Sequence, residues 1–137
     1  MKRLEKIIQF SGKVIEGKKL GRQIGFPTAN LDPKIIADNL KLISGIYAGT
    51  AQIKSKPEIY ISAIYIGKNA TLTNNNFTVE AHFLDFNQDI YGKIIILKLL
   101  AFVREDKKFA NTNQLVEQIK KDCMEIKKFC ENENVLN

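Results

Sequence analysis

Histidine, arginine and cysteine are scarce in these 137 residues, and tryptophan is absent. A single histidine, His82, leaves no set of imidazoles for a transition metal. The two cysteines, Cys123 and Cys130, lie seven positions apart. On the helix expected there, two turns separate them by roughly 10 Å, too far for a disulfide. Their spacing is not that of a metal site either, and a reducing, cytoplasmic setting is expected. Long apolar runs are also lacking. Ile94–Leu97 is broken by Lys98 before Leu99–Val103 resumes, so no membrane span is expected. Met1-Lys2-Arg3-Leu4-Glu5-Lys6 holds a glutamate and no continuous apolar core, unlike a signal peptide. Arginine supplies only Arg3, Arg22 and Arg104 of the 21 cations. The formal charge of +6 is therefore mostly lysine, spread along the chain without aromatic residues interleaved in a cationic stripe. This reads as a solvated surface that helps attract nucleotide phosphates, and no nucleic-acid partner is expected.

What the chain does have is β-forming sequence. With 45% apolar and 26% charged residues, it suits one domain with its own core. Candidate strands are Gly12–Glu16, Gly45–Ile53, Tyr60–Ile66, Phe77–Leu84 and Lys93–Phe102, rich in β-branched and aromatic residues and bounded by Gly, Asn, Asp or Pro. Asn74-Asn75-Asn76 and Asn87-Gln88-Asp89 read as turns. Small residues at Ala48, Gly49 and Ala51 suit a crowded barrel interior or a ligand close to the backbone. Five or more such strands predict a closed antiparallel barrel, which leaves no exposed edge.

The flanks differ in character. Residues 1–10, with Leu4, Ile7 and Ile8 on one side, are expected to form a short helix or a linker arm. The 31–44 connection, with Pro33 and Asp38-Asn39, reads as a mobile flap. A helix is expected from Thr112 to Cys130, with Asn111 as N-cap and Gln114 three residues later. Its stripe of Leu115, Ile119, Cys123, Ile126 and Cys130 predicts packing against the barrel, with inert thiols. The division expected is an arm over 1–11, a domain over 12–131 and a frayed tail over 132–137.

Two stretches carry chemistry. In Gly21-Arg22-Gln23-Ile24-Gly25-Phe26-Pro27-Thr28-Ala29-Asn30, Thr28 and Asn30 share one face of an extended segment. Two neutral oxygens there suit Mg²⁺ that keeps water and phosphate as its other ligands; the plainer reading is a turn with a polar face. In Phe77–Leu84, alternation sets Thr78, Glu80 and His82 on one face and Val79, Ala81 and Phe83 on the other. Glu80 lies outside if Val79 and Phe83 face the core, and faces a ligand if the barrel is flattened around a site. His82 reads as a structural hydrogen-bonding side chain. Gly17-Lys18-Lys19-Leu20-Gly21-Arg22 is not a Walker loop, since no Gly-Lys-Ser/Thr follows, but its amides and Arg22 could form an anion nest.

The order of these motifs resembles the riboflavin kinase family. Gly21–Asn30 is similar to its metal-binding stretch, and Gly45-Ile46-Tyr47-Ala48-Gly49 to its Gly-Val-Tyr-x-Gly strand. Ile66-Gly67-Lys68-Asn69 with Thr71 resembles its Ile-Gly-x-Asn-Pro-Thr turn, and Thr78-Val79-Glu80-Ala81-His82 the segment with its catalytic glutamate. Asp89-Ile90-Tyr91-Gly92 and Arg104-Glu105-Asp106-Lys107-Lys108-Phe109 match two further blocks. The resemblance spans residues 12 to about 122. It implies a Greek-key-like barrel of about six strands with a C-terminal helix. It implies transfer of the ATP γ-phosphate to riboflavin, giving FMN and ADP. Glu80 would be the general base, and Thr28 and Asn30 the Mg²⁺ ligands. Gly17, Arg22 and Tyr91 would join Thr28 and Asn30 in holding ATP; Arg104, Lys107 and Phe109 would hold the flavin. An FAD synthetase domain in a longer parent chain is also implied. The alternative is a non-catalytic flavin- or nucleotide-binding sensor on the same barrel. Ala70 and Leu72 depart from the family's usual proline and phenylalanine, which predicts a looser turn there.

Overall fold

The computed structural model describes residues 1–16, 25–32, 42–68 and 77–136. Its elements are β1 (Lys2–Ile15), β2 (Ala29–Leu31), β3 (Gly45–Ile53), β4 (Ile59–Lys68), β5 (Phe77–Phe83), β6 (Ile94–Arg104) and the helix α1 (Thr112–Asn132). The strands form a closed barrel in the order β1-β2-β5-β4-β3-β6, and every pairing is antiparallel. β3, β4 and β5 follow one another, and β6 returns to lie beside β3, which is the Greek-key arrangement. The expected barrel with its C-terminal helix is therefore present.

Alternation explains the interior. Val79, Ala81 and Phe83 of β5, Ile64 and Ile66 of β4, and Ile95, Leu97 and Leu99 of β6 are all buried in one cluster. The pairing of β6 with β3 then shifts twice. Ala48 faces Ala101 while Gly49 faces Leu99, and Ile46 faces Arg104 while Tyr47 faces Phe102. Leu100 and Val103 are thus extra residues, and each such bulge resets which side chains point inward. Ala101 consequently joins Ala48, Ile61, Ile126 and Cys130 in a second cluster, between the outer wall of the barrel and α1. The small residues of β3 answer to crowding: a Cβ on Gly49 would lie 1.9 Å from the Lys98 carbonyl oxygen and 2.9 Å from Ile64 Cδ1.

Residues 2–10 are strand, not the expected helix or free arm. Lys2 and Arg3 pair with Phe102 and Ala101, and after a bulge Ile8–Lys13 pair with Leu99–Ile94. Without this strand β6 would present an unpaired row of backbone groups. The alternation is clear only from Ile8 onward, where Phe10, Gly12 and Val14 are buried. β2, only three residues long, closes the ring between β1 and β5. No helix among the described residues is long and apolar enough to cross a membrane.

α1 begins as expected. Asn111 Oδ1 accepts from the Gln114 backbone N–H at 2.9 Å, and Gln114 Oε1 accepts from the Ala110 N–H at 3.2 Å. The first satisfies a donor that the opening turn leaves free, and the second ties the residue before the cap to the helix. Ile126 and Cys130 are fully buried, and Asp122, unexpectedly for a charged residue, is buried beside them.

Candidate active site

The register lines up one row of residues around the outside of the barrel. Through successive Cα partners it runs Ile15, Asn30, Glu80, Tyr65, Ile46, Arg104. Because Val79 and Ala81 face the core, Glu80 faces outward. Of the two placements left open by the sequence, the outer face is found.

Around Glu80, oxygen donors gather. Thr28 Oγ1 donates to Glu80 Oε1 at 3.4 Å, and Asn30 is the direct cross-strand partner of Glu80. A hydroxyl, an amide oxygen and a carboxylate make an all-oxygen set, which fits a hard divalent cation rather than a soft one. Among the described residues no group of three or more His, Cys, Asp or Glu is placed to hold a metal. Thr28, Asn30 and Glu80 are the oxygen-bearing side chains that the fold brings together at this point. The approach to Thr28 is fixed by His82, whose Nδ1 lies 2.8 Å from the Pro27 carbonyl oxygen. A carbonyl only accepts, so Nδ1 carries the proton. Phe26 stacks edge-on against the same imidazole, with centroids 5.6 Å apart.

On the β2 side of Glu80 lies a cleft of about 680 Å³, lined by Glu16, Thr28, Asn30, Phe86, Asp89 and Tyr91 among others. Tyr91 is exposed at its rim. Its N–H donates to Asp89 Oδ1 at 3.0 Å, and Gly92 follows at φ +79°, so a tight turn presents the ring. Gly17 and Arg22 lie outside the described residues, as do most of the 31–44 connection and the Ala70 and Leu72 departures.

On the β6 side a different network forms. Arg104 Nε donates to both oxygens of Asp122 at 3.0 Å, and its NH2 group donates to Oδ2 at 2.7 Å. Another guanidinium nitrogen donates to the Glu105 carbonyl at 3.1 Å. Gln118 Nε2 donates to Asp122 Oδ1 at 2.9 Å, while its Oε1 accepts from Lys107 Nζ at 3.3 Å. The Phe109 ring lies 6.0 Å from the guanidinium carbon. Asp106 accepts from the Tyr65 hydroxyl at 2.5 Å. Burial, that hydrogen bond and the nearby Asp106 and Glu80 carboxylates push the Tyr65 phenol well above its ordinary pKa. Residues 104–110 are thus tied to α1 and β4 at Arg104, Asp106, Lys107 and Ala110. The structure therefore groups Thr28, Asn30 and Tyr91 on one side of Glu80, and Arg104, Lys107 and Phe109 on the other.

The comparison with known proteins gives this arrangement a family. The model of the riboflavin kinase family matches residues 4–130. The chain belongs to the riboflavin kinase family. The match begins inside β1, in keeping with that strand's place in the barrel. The RNA-binding riboflavin kinase RibR of Bacillus subtilis is 38% identical over 113 residues, covering 82% of this chain and 46% of that protein. A bifunctional riboflavin kinase/FMN adenylyltransferase of Haemophilus influenzae is 36% identical over 126 residues, covering 92% of this chain and 40% of that one. The crystal structure of riboflavin kinase from Trypanosoma brucei superimposes with a TM-score of 0.65 at 25% identity, covering 96% of this chain and 82% of that one. The chain spans less than half the length of these two bacterial relatives. Within this riboflavin kinase fold, sequence reasoning missed Asp122 and Tyr65. Asp122 sits one position before Cys123 of the apolar stripe, and its charge concealed its burial. Tyr65 lay inside a predicted strand, and only the register sets it beside Glu80.

Proposed function

We propose that this domain transfers the γ-phosphate of ATP to the 5′-hydroxyl of riboflavin, giving FMN and ADP. The observation that carries the reading is the outward row in which Glu80 stands between an oxygen-rich cleft and a cationic, aromatic segment. Two substrates must meet at one point for direct phosphoryl transfer, and Glu80 is the group with base chemistry at that point.

In this reading ATP occupies the cleft beside Thr28 and Asn30, with Tyr91 near the adenine. Gly17 and Arg22 hold its phosphates, a role that rests on the family resemblance. The flavin ring lies toward Lys107 and Phe109. Arg104 shapes that side while its guanidinium is tied to Asp122. Glu80 accepts the proton of the ribityl hydroxyl as that oxygen attacks the γ-phosphorus. Thr28 and Asn30 would hold Mg²⁺, which when bound offsets negative charge on the phosphates. His82, engaged with Pro27, takes no proton-transfer part. An FMN-adenylylating domain in a longer parent chain is part of the proposal, supported by the relative whose name carries both activities.

The test is incubation of the purified chain with riboflavin, ATP and MgCl₂, with flavins separated by chromatography. FMN appearing in step with ADP supports the reading. Riboflavin bound but unchanged would point to the sensor alternative.

A further inference from the structure

Tyr65 is the cross-strand partner of Glu80, so the two side chains rise from neighbouring positions on the outer face. The far end of its ring is held twice. The ring folds along β4 over Gly67, where an added Cβ would meet ring carbons Cε2 and Cζ at 2.6 and 2.7 Å. The hydroxyl on that same end donates to Asp106 Oδ2 at 2.5 Å. A phenol is protonated, hence a donor, at neutral pH, and burial together with the nearby carboxylates pushes its titration further up.

In the row around the barrel, Glu80 and Arg104 are three strand steps apart, roughly 14 Å. Tyr65 occupies the step next to Glu80, and Ile46 the next. A molecule with a flat aromatic head on the 104–109 segment and a hydroxyl tail at Glu80 has to pass over the Tyr65 ring. An aromatic face suits such a head through offset stacking or edge contact.

We propose that Tyr65 is a flavin-contacting residue whose ring floors the passage between Glu80 and the 104–109 segment, with its hydrogen bond to Asp106 fixing the ring's orientation. This rests on the kinase reading above. The substrate class it selects is a flat aromatic ring carrying a flexible polyol arm. The two roles of Tyr65 separate by substitution. Tyr65→Phe keeps the floor and removes the tie; Tyr65→Ala removes both.

The experiment uses the full chain, with steady-state kinetics for each substrate and the fluorescence of bound riboflavin. For Tyr65→Ala the KM for riboflavin should rise about tenfold while the KM for ATP stays within about twofold. For Tyr65→Phe, and for Asp106→Ala, the rise should be smaller, about two- to threefold, and again confined to riboflavin. Riboflavin bound to the wild type should be strongly quenched by the neighbouring phenol, and brighter when bound to Tyr65→Phe. That spectroscopic change distinguishes contact from a role in folding, because Tyr65→Phe preserves the packing over Gly67. Equal quenching in wild type and Tyr65→Phe, with riboflavin KM unchanged in Tyr65→Ala, would overturn the inference while leaving the kinase reading intact. Absence of both FMN formation and riboflavin binding in the wild type would overturn the kinase reading and this inference with it.

Discussion

At the scale of single residues, the site depends on side chains whose partners come from distant parts of the chain. Arg104 and Asp122 illustrate this. Their side chains are only 14% and 5% exposed and share a forked contact. Removing one member of a buried pair leaves the other's charge uncompensated, which costs about 3–5 kcal/mol. Asp122→Ala should therefore lower the unfolding free energy by that amount, seen as a lower guanidinium chloride midpoint, and also raise the riboflavin KM, because Arg104 anchors the 104–109 segment. Asn30→Ala is a different kind of change. Asn30 is half-buried at the cleft and neighbours Glu80, so its loss should raise the Mg²⁺ concentration needed for half-maximal rate with little change in thermal midpoint. A Mg²⁺ titration of the rate reads this directly, and an unaltered titration would remove Asn30 from the cation's ligands. Period-two alternation set Thr28 and Asn30 on one face and left the face of Glu80 open; the family resemblance is what singled out all three. The sequence did not show Asp122 as the partner of Arg104, since nothing local marks a helix carboxylate as buried by a strand end 18 positions earlier.

At the scale of elements, strands that announce themselves by composition were legible and strands that exist by pairing were not. β5 alternates, and β6 is apolar apart from Lys98 and its terminal Arg104. β2 is three residues long, and the first half of β1 has its apolar residues at helical rather than strand spacing, so only the closed ring reveals them. Gly49 offers a test of how tightly β3 and β6 approach. Gly49→Ala would drive a methyl into the Lys98 carbonyl, and the backbone cannot yield without breaking the ladder. It should either fail to accumulate as soluble protein or melt at least 10 °C lower, on the order of 2 kcal/mol or more. A thermal midpoint unchanged in Gly49→Ala would mean that β3 and β6 lie far enough apart to admit a methyl group. The helix carries a pH test. Burial, aided by Asp122, pushes the Cys123 thiol from 9.0 up to about 11, and burial with Glu133 does the same for Cys130. The folded state then keeps protons that the unfolded state releases. Their contribution to stability is complete below about pH 9 and is lost as pH rises toward 11. Urea midpoints should fall across that window, and replacing both thiols with alanine should flatten the fall even as it lowers stability at neutral pH.

For the whole molecule, the proposed reading makes the barrel a frame that brings two half-sites to one point. One half comes from β2 and the 87–91 turn, the other from the end of β6 and α1, and β4 and β5 join them through Tyr65 and Glu80. The barrel class and the family were readable from motif order. The meeting of the halves was not, because it depends on a ring of pairings that includes the two unannounced strands. The central claim is that phosphoryl transfer occurs at Glu80, between a nucleotide on one side and a flavin on the other. The most direct measurement is single-turnover FMN formation by wild type and Glu80→Gln, with saturating ATP, Mg²⁺ and riboflavin, alongside the binding of each substrate. The wild type should form FMN, and Glu80→Gln should bind both substrates nearly as well while forming FMN roughly 10²–10⁴-fold more slowly. A Glu80→Gln rate within a few-fold of wild type would contradict it.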